Sequence, residues 1–323
     1  MPTVLHILLV TFPFFALVLA GYGAARWRML PLEAIPGLNG FVLFFALPCM
    51  LYRFGSTTPI AQLLDARVAG LYLFCGLLVV GGTIAVTLNA RVRWNDAAMG
   101  ALVAAFPNSG FMGVPLIVAL LGPAAAGTVI LTMVVDMVIT SSLCIALSRL
   151  DGARGSGRTA VFDAARKALK GVAANPMPWA IVLGGVASAW AFQLPKPVEQ
   201  TVWLLADAAS PVALFTIGAV LARAQMTSNH PMPLSDYVPV ALIKLFVHPL
   251  LVFTTGWLAI RAGLPLSPSA LTVMVLVAAL PSASNVSMLA ERFGADNGRI
   301  ARIILLTTAA AFLTFSAAVA LLA

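Results

Sequence analysis

Nine consecutive residues, Pro107-Asn108-Ser109-Gly110-Phe111-Met112-Gly113-Val114-Pro115, interrupt an apolar segment that runs from about Asp96 to Leu121. Two prolines, two glycines, an asparagine and a serine amount to helix-ending chemistry. In a bilayer that chemistry falls where no water satisfies the freed backbone groups. The stretch therefore predicts a helix broken into two halves of roughly ten residues, each about 15 Å long, with Pro107, Gly113 and Pro115 marking a break near the midplane of a ~30 Å hydrocarbon core. Irregular backbone at that depth persists only where it is buried in protein or lines a cavity. A second interruption answers the first: Ala104-Ala105-Phe106-Pro107 recurs as Ala278-Ala279-Leu280-Pro281, and Pro281-Ser282-Ala283-Ser284-Asn285-Val286-Ser287 again breaks a long apolar segment. Broken helices at matching positions in two halves of a chain point to the site of a secondary transporter.

Composition places the chain in a membrane. Hydrophobic residues make up 61% of its 323 positions and charged residues 9%, with a mean hydropathy of +1.00, whereas soluble domains carry about 25% charge. Windows of about 20 apolar residues give ten expected spans, at 4–25, 36–53, 66–89, 96–121 (broken), 124–148, 176–194, 198–222, 237–261, 268–292 (broken) and 299–322. Setting the N-terminus outside puts the basic residues of 26–28, 91–93, 149–170, 223 and 292–302 on the inner face. Only Arg53, Arg67, Lys196 and Arg261 then remain outside, and Lys244 lies within a span. The positive-inside rule thus predicts a plasma (inner) membrane protein with both termini on the external side. The +8 net charge is explained by topology, so no nucleic-acid partner is expected. The N-terminus lacks a basic region before its apolar run and reads as a retained first helix. Cys49, Cys75 and Cys144 have no paired spacing and read as packing residues.

Residues 149–175, rich in Gly, Arg and Lys, form the one clear linker and divide the expected domains 1–148 and 176–323, five spans from five. Each half carries a mid-span proline, Pro48 or Pro211, two spans before its broken helix. Because five is odd, the second half must cross the membrane in the opposite sense. The expected fold is all-α: two inverted five-helix repeats whose broken helices 4 and 9 meet at the midplane.

The Asn-Ser-Gly-Phe-Met-Gly-Val-Pro run at 108–115, the Leu-Pro-Ser-Ala-Ser-Asn-Val-Ser-Met-Leu-Ala run at 280–290 and the five-plus-five layout resemble the auxin efflux carrier family, in its bacterial branch. The resemblance implies the crossover fold shared with bile-acid sodium symporters and sodium/proton antiporters. It further implies a scaffold of helices 1, 2, 6 and 7, often dimer-forming, and a mobile core of helices 3–5 and 8–10. Bacterial relatives are commonly described as malate or malonate transporters, and plant members export indole-3-acetate.

A half-helix N-terminus, with free N–H groups and about half a positive charge, suits a carboxylate; a C-terminal end suits a cation. Asn108, Ser109, Gly110, Ser282, Ser284 and Asn285 are the expected substrate-binding residues, unless their side chains serve only to satisfy backbone groups freed by the breaks. Asp136, about twelve residues into span 5, is the expected proton or cation site. Its alternative role is as structural partner of Lys244, which would otherwise snorkel or balance an anion. Asp207 faces either the core or a scaffold contact, and His248 reads as structural. The expected function is a carrier of a small organic anion, a mono- or dicarboxylate, by alternating access at a midplane crossing. No cofactor or metal is expected, and H+ or Na+ is the coupling ion if one is used. A passive uniporter or channel for weak organic acids is the alternative. An intramembrane enzyme ranks lower, because His6, His230 and His248 are scattered and no zinc motif, nucleophile elbow or phosphate loop occurs.

Overall fold

A computed structural model describes residues 4–149, 176–227 and 232–322; the linker lies outside the described residues. Among them the regular elements are helices, and extended pairing is confined to one isolated bridge. We label them α1 (Val4–Arg26), α2 (Leu32–Thr57), α3 (Ala66–Thr87), the two halves α4a (Trp94–Ala105) and α4b (Ser109–Leu121), α5 (Pro123–Ser148), α6 (Pro176–Ala189), α7 (Lys196–Thr227), α8 (Val238–Arg261), α9a (Pro268–Ala279), α9b (Asn285–Arg292) and α10 (Asn297–Leu322). Among the described residues seven helices are long and apolar enough to cross a membrane: α1, α2, α3 with the turn before it, α5, α7, α8 and α10. The chain is thus a polytopic, all-helical membrane protein. Large apolar side chains such as Phe44, Leu183, Leu204, Leu250 and Leu313 stand exposed on its flanks, as a lipid-facing belt requires.

Local chemistry fixes many helix ends. The Asp65 carboxylate caps α3 by accepting the Arg67 and Val68 N–H groups, and Ser267 Oγ caps α9a by accepting that of Ala270. Gly122, at φ +87°, turns the chain out of α4b in a conformation that a side chain would strain. Three mid-span prolines are handled by widening, whereas Pro13 and Pro211 lie within α-helix that has no such turn. Single π-turns at Val42–Ala46, Ser109–Gly113 and Ile243–Val247 each end two residues before Pro48, Pro115 and Pro249, so the helix accommodates a residue that removes one rung of its ladder. A fourth π-turn, Asp136–Thr140, has no proline to explain it.

Two helix crossings are made on glycine. α1 and α7 meet so closely that a Cβ on Gly21 would lie 1.8 Å from the Phe215 carbonyl oxygen, and one on Gly218 would lie 1.9 Å from that of Val18. α2 and α6 meet at Gly55 and Gly184, where a Cβ on Gly184 would lie 2.7 Å from the Tyr52 carbonyl oxygen. Small residues that let backbones touch are the usual means of packing helices in lipid. α4a and α9a form the centre: Ala97 to Ala105 and Val273 to Ala279 are buried on all sides by the surrounding helices.

One end of this centre is clamped by Arg299, which is only 2% exposed. Its Nε donates to the Asp236 carbonyl (2.6 Å) and its Nη1 to the Asp96 carbonyl (2.7 Å), tying the starts of α8, α4a and α10 together. The Asp296 N–H donates to Asp96 Oδ1, and Arg91 pairs with Asp236 at 3.0 Å. Sequence alone treats Arg299 as an ordinary loop charge.

Candidate functional site

The two breaks bond to each other. The Asn108 N–H donates to the Pro281 carbonyl (2.8 Å) and the Ala283 N–H to the Phe106 carbonyl (2.9 Å), a reciprocal pair that forms an antiparallel bridge between Pro107 and Ser282. This exchange satisfies backbone groups that the prolines release, without recruiting the asparagine side chains. The Ser282 N–H in turn donates to Thr307 Oγ1 of α10. Thr307 is a site residue that sequence reasoning missed. Its signal is a Thr-Thr pair in the middle of the apolar stretch Ile303–Leu313.

The interruption is shorter than the sequence suggests. Helical structure stops only at Phe106–Asn108 and at 280–284. Gly113 closes a π-turn and Pro115 sits two residues beyond it, inside continuous helix, where the widened turn accommodates the rung that proline removes. Pro107 and Pro281 stand at the breaks as expected, whereas Gly113 and Pro115 belong to the helix that follows.

Beside the bridge lies a narrow cleft of about 20 Å³, lined by Asn108, Gly110 and Asn285 together with Leu47, Met133 and Met177. One end of the Asn285 amide, Oδ1, is buried without a partner, as is Ser282 Oγ. Of the six residues expected to bind substrate, Asn108, Gly110 and Asn285 line the cleft. Ser109, Ser282 and Ser284 do not: Ser109 is fully buried and donates to the Pro107 carbonyl, and Ser282 is buried in the bridge itself. The methionines are additions from the structure. Their unbranched thioethers fill the irregular apolar wall of the cleft.

Behind the crossing is a row of buried polar groups. Asp136 is 0% exposed; its Oδ2 accepts the Tyr72 hydroxyl (2.9 Å) and its Oδ1 the Thr140 hydroxyl (3.1 Å). The Tyr72 ring lies 6.0 Å from that of His248. His248 Nδ1 is 3.3 Å from Lys244 Nζ, which donates to the Ala278 carbonyl at 2.8 Å. Lys244, also 0% exposed, thus does not snorkel. It sets its charge on the last turn of α9a, where unpaired carbonyls and the helix dipole favour a cation. Asp136 and Lys244 form no salt bridge with each other: Asp136 is held by Tyr72 and Thr140, Lys244 by His248 and the Ala278 carbonyl, and neither lines the cleft. Asp207 lies apart from the crossing: its carboxylate, 68% exposed, pairs with Arg53 at 2.6 Å, a contact between α2 and α7. Among the described residues no group of His, Cys, Asp and Glu is arranged to hold a metal.

Seven helices of spanning length among the described residues, together with two broken ones whose breaks bond to each other beside a cleft, define a polytopic membrane protein. The sequence pattern described as "Membrane transport protein" matches residues 6–319, and the chain belongs to that family, which includes the auxin efflux carriers. It is 30% identical over 299 residues to a protein of Rhizobium meliloti (strain 1021) named as a putative malonate transporter, covering 92% of this chain and 89% of that one. It is 25% identical over 291 residues to the uncharacterized transporter YfdV of Escherichia coli (strain K12), covering 87% and 86%. It is 25% identical over 153 residues to auxin efflux carrier component 3 of Arabidopsis thaliana, covering 46% of this chain and 23% of the plant protein. The family and these relatives are transporters, and this chain is not an enzyme.

Proposed function

We propose that the protein is a secondary carrier of a small organic anion, a mono- or dicarboxylate, which binds at the crossing of α4 and α9 and is exposed alternately to either side of the membrane. The reciprocal bridge between the breaks carries this reading. It brings the N-terminal ends of α4b and α9b to one place, with the donor groups of Asn108 and Asn285 beside them. In this reading the chain has ten spans in two inverted repeats, 1–148 and 176–323. Gly21 and Gly184, Pro48 and Pro211, and Gly55 and Gly218 are each 163 residues apart. That one shift carries the α1–α7 glycine crossing onto the α6–α2 crossing and so supports the repeat. α1, α2, α6 and α7 act as the scaffold, which pairs with a second copy, and the remaining helices act as the moving core. A cleft of about 20 Å³ holds about one water, so binding an anion requires the core to shift.

The substrate class fits the relative named as a putative malonate transporter. Import of each negative charge against an inside-negative potential costs about 2.3 kcal/mol per 100 mV. A dicarboxylate importer therefore needs a co-transported H+ or Na+, and Asp136 with Lys244 is the proposed coupling site. Asp136→Asn keeps the shape and one acceptor for Tyr72 or Thr140; it is expected to change the pH or Na+ dependence of uptake, and an unchanged profile reduces Asp136 to a structural role. Proteoliposome counterflow tests the carrier itself. Exchange of labelled for unlabelled malonate, succinate or indole-3-acetate faster than net flux is the expected result, and flux without exchange favours a passive channel for weak acids. Orientation, with both termini outside the plasma membrane, is read by single cysteines at Gly155 and Ala323, which should react with impermeant reagents from opposite sides.

A further inference from the structure

Away from the crossing, two cavities of about 300 and 550 Å³ run together between α10 on one side and α1 and α7 on the other, sharing Leu221, Leu305 and Ala309. Their character changes along the length. At the inner end the lining is Phe15, Val18, Leu19 and Phe312, closed by an edge-to-face contact of Phe15 and Phe312 at 5.3 Å. At the other end stand Arg302, Gln225 and Tyr237, near Tyr22, whose hydroxyl donates to Gln225. Leu19, on the wall, is 71% exposed, so the crevice opens sideways into the bilayer.

The dimensions identify an occupant. From Arg302 to Phe312 is ten residues of α10, about 15 Å at 1.5 Å per residue, which is one leaflet of a ~30 Å hydrocarbon core. An apolar slot one leaflet deep, open to lipid and capped at its interfacial end by a guanidinium, an amide and two phenols, has the profile of a phospholipid with an anionic headgroup. Basic pockets between membrane helices are where such headgroups bind. We propose that this crevice is a site for one anionic phospholipid, with an acyl chain seated between α10 and α1/α7 and its phosphate on Arg302. A chain held there keeps α10 from closing onto α1 and α7. This site shares no residue with the crossing cleft, and it stands whether or not the proposed substrate is correct.

Native mass spectrometry of the purified protein in an uncharged detergent, titrated with phosphatidylglycerol and with phosphatidylcholine of the same chain length, tests it. One phosphatidylglycerol is expected to bind at least about five-fold more tightly than phosphatidylcholine, the ratio that one Arg near an anionic headgroup supplies. Arg302→Gln should abolish that preference, and Ala309→Trp, which fills the depth of the slot, should weaken both lipids about ten-fold. Leu19→Trp, at an exposed position that narrows the lateral opening, gives the same reading if Ala309→Trp fails to fold. Equal binding of the two lipids, a preference that survives Arg302→Gln, affinities unchanged by the tryptophans, or displacement of the lipid by millimolar inorganic phosphate alone would each overturn the proposal.

Discussion

Asn108→Ala and Asn285→Ala should each lower substrate uptake by roughly ten- to 150-fold while leaving the protein folded in the membrane. The magnitude is that of one hydrogen bond to a charged group, about 1.5–3 kcal/mol. Folding should survive because the backbone groups at the breaks are satisfied by one another, Asn108 N–H with the Pro281 carbonyl and Ala283 N–H with that of Phe106, and not by the amides. A sharper variant is Asn285→Asp. It preserves shape but places a second negative charge where an anion is to bind, so uptake should fall below that of the alanine variant. Transport by reconstituted protein, normalised to the folded fraction in size-exclusion chromatography, is the measurement. Uptake within two-fold of wild type in both alanine variants would remove the crossing as the substrate site. Loss of the folded peak would instead return the asparagines to a structural role.

Much of this arrangement is legible in the order of residues because lipid enforces it. A proline within a long apolar run has few solutions, so both breaks and the apolar character of the helices can be read directly. What cannot be read is direction around each helix. In a soluble protein the polar face identifies the buried one, but a helix such as α4a or α9a is apolar all round and its sequence carries no such contrast. Hence Pro115, which sequence alone places in the break, lies within the helix that follows it, and Ser282 is buried in the bridge while Asn285 reaches the cleft. Long-range pairs are equally hidden. Asp136 and Lys244 can be picked out as charges inside apolar runs, yet the sequence does not disclose their contacts, Tyr72 and Thr140 for the one and His248 and the Ala278 carbonyl for the other. Asp207 meets Arg53, 154 positions away, and Arg299 becomes a buried clamp only because α4a, α8 and α10 begin at one level. None of these distances has a local signature.

Gly218→Leu should destabilise the protein by more than about 3 kcal/mol, beyond the usual cost of overfilling a packed interior. The reason is that its Cβ would sit 1.9 Å from the Val18 carbonyl oxygen, and backbone, unlike a flexible side-chain tip, cannot step aside. Helices in lipid gain no hydrophobic free energy from meeting, so association depends on the close approach that such a side chain prevents. The contacts also rank the outcomes. Gly21→Leu, with its Cβ 1.8 Å from the Phe215 carbonyl oxygen, should match Gly218→Leu, whereas Gly55→Ala, whose nearest atom is the Gly184 Cα at 3.2 Å, should cost least of the three. A Cβ on Gly81 of α3 would meet nothing within 4 Å, and Gly81→Leu should be neutral or slightly stabilising through helix propensity. Unfolding in mixed micelles of increasing SDS fraction, followed by tryptophan fluorescence, measures all four. If Gly218→Leu and Gly81→Leu unfold together, the glycine crossings are not what holds α1 to α7. If Gly218→Leu and Gly21→Leu collapse while Gly81→Leu does not, α1 and α7 are fixed to each other by backbone contact, and movement at the crevice beside them belongs to α10.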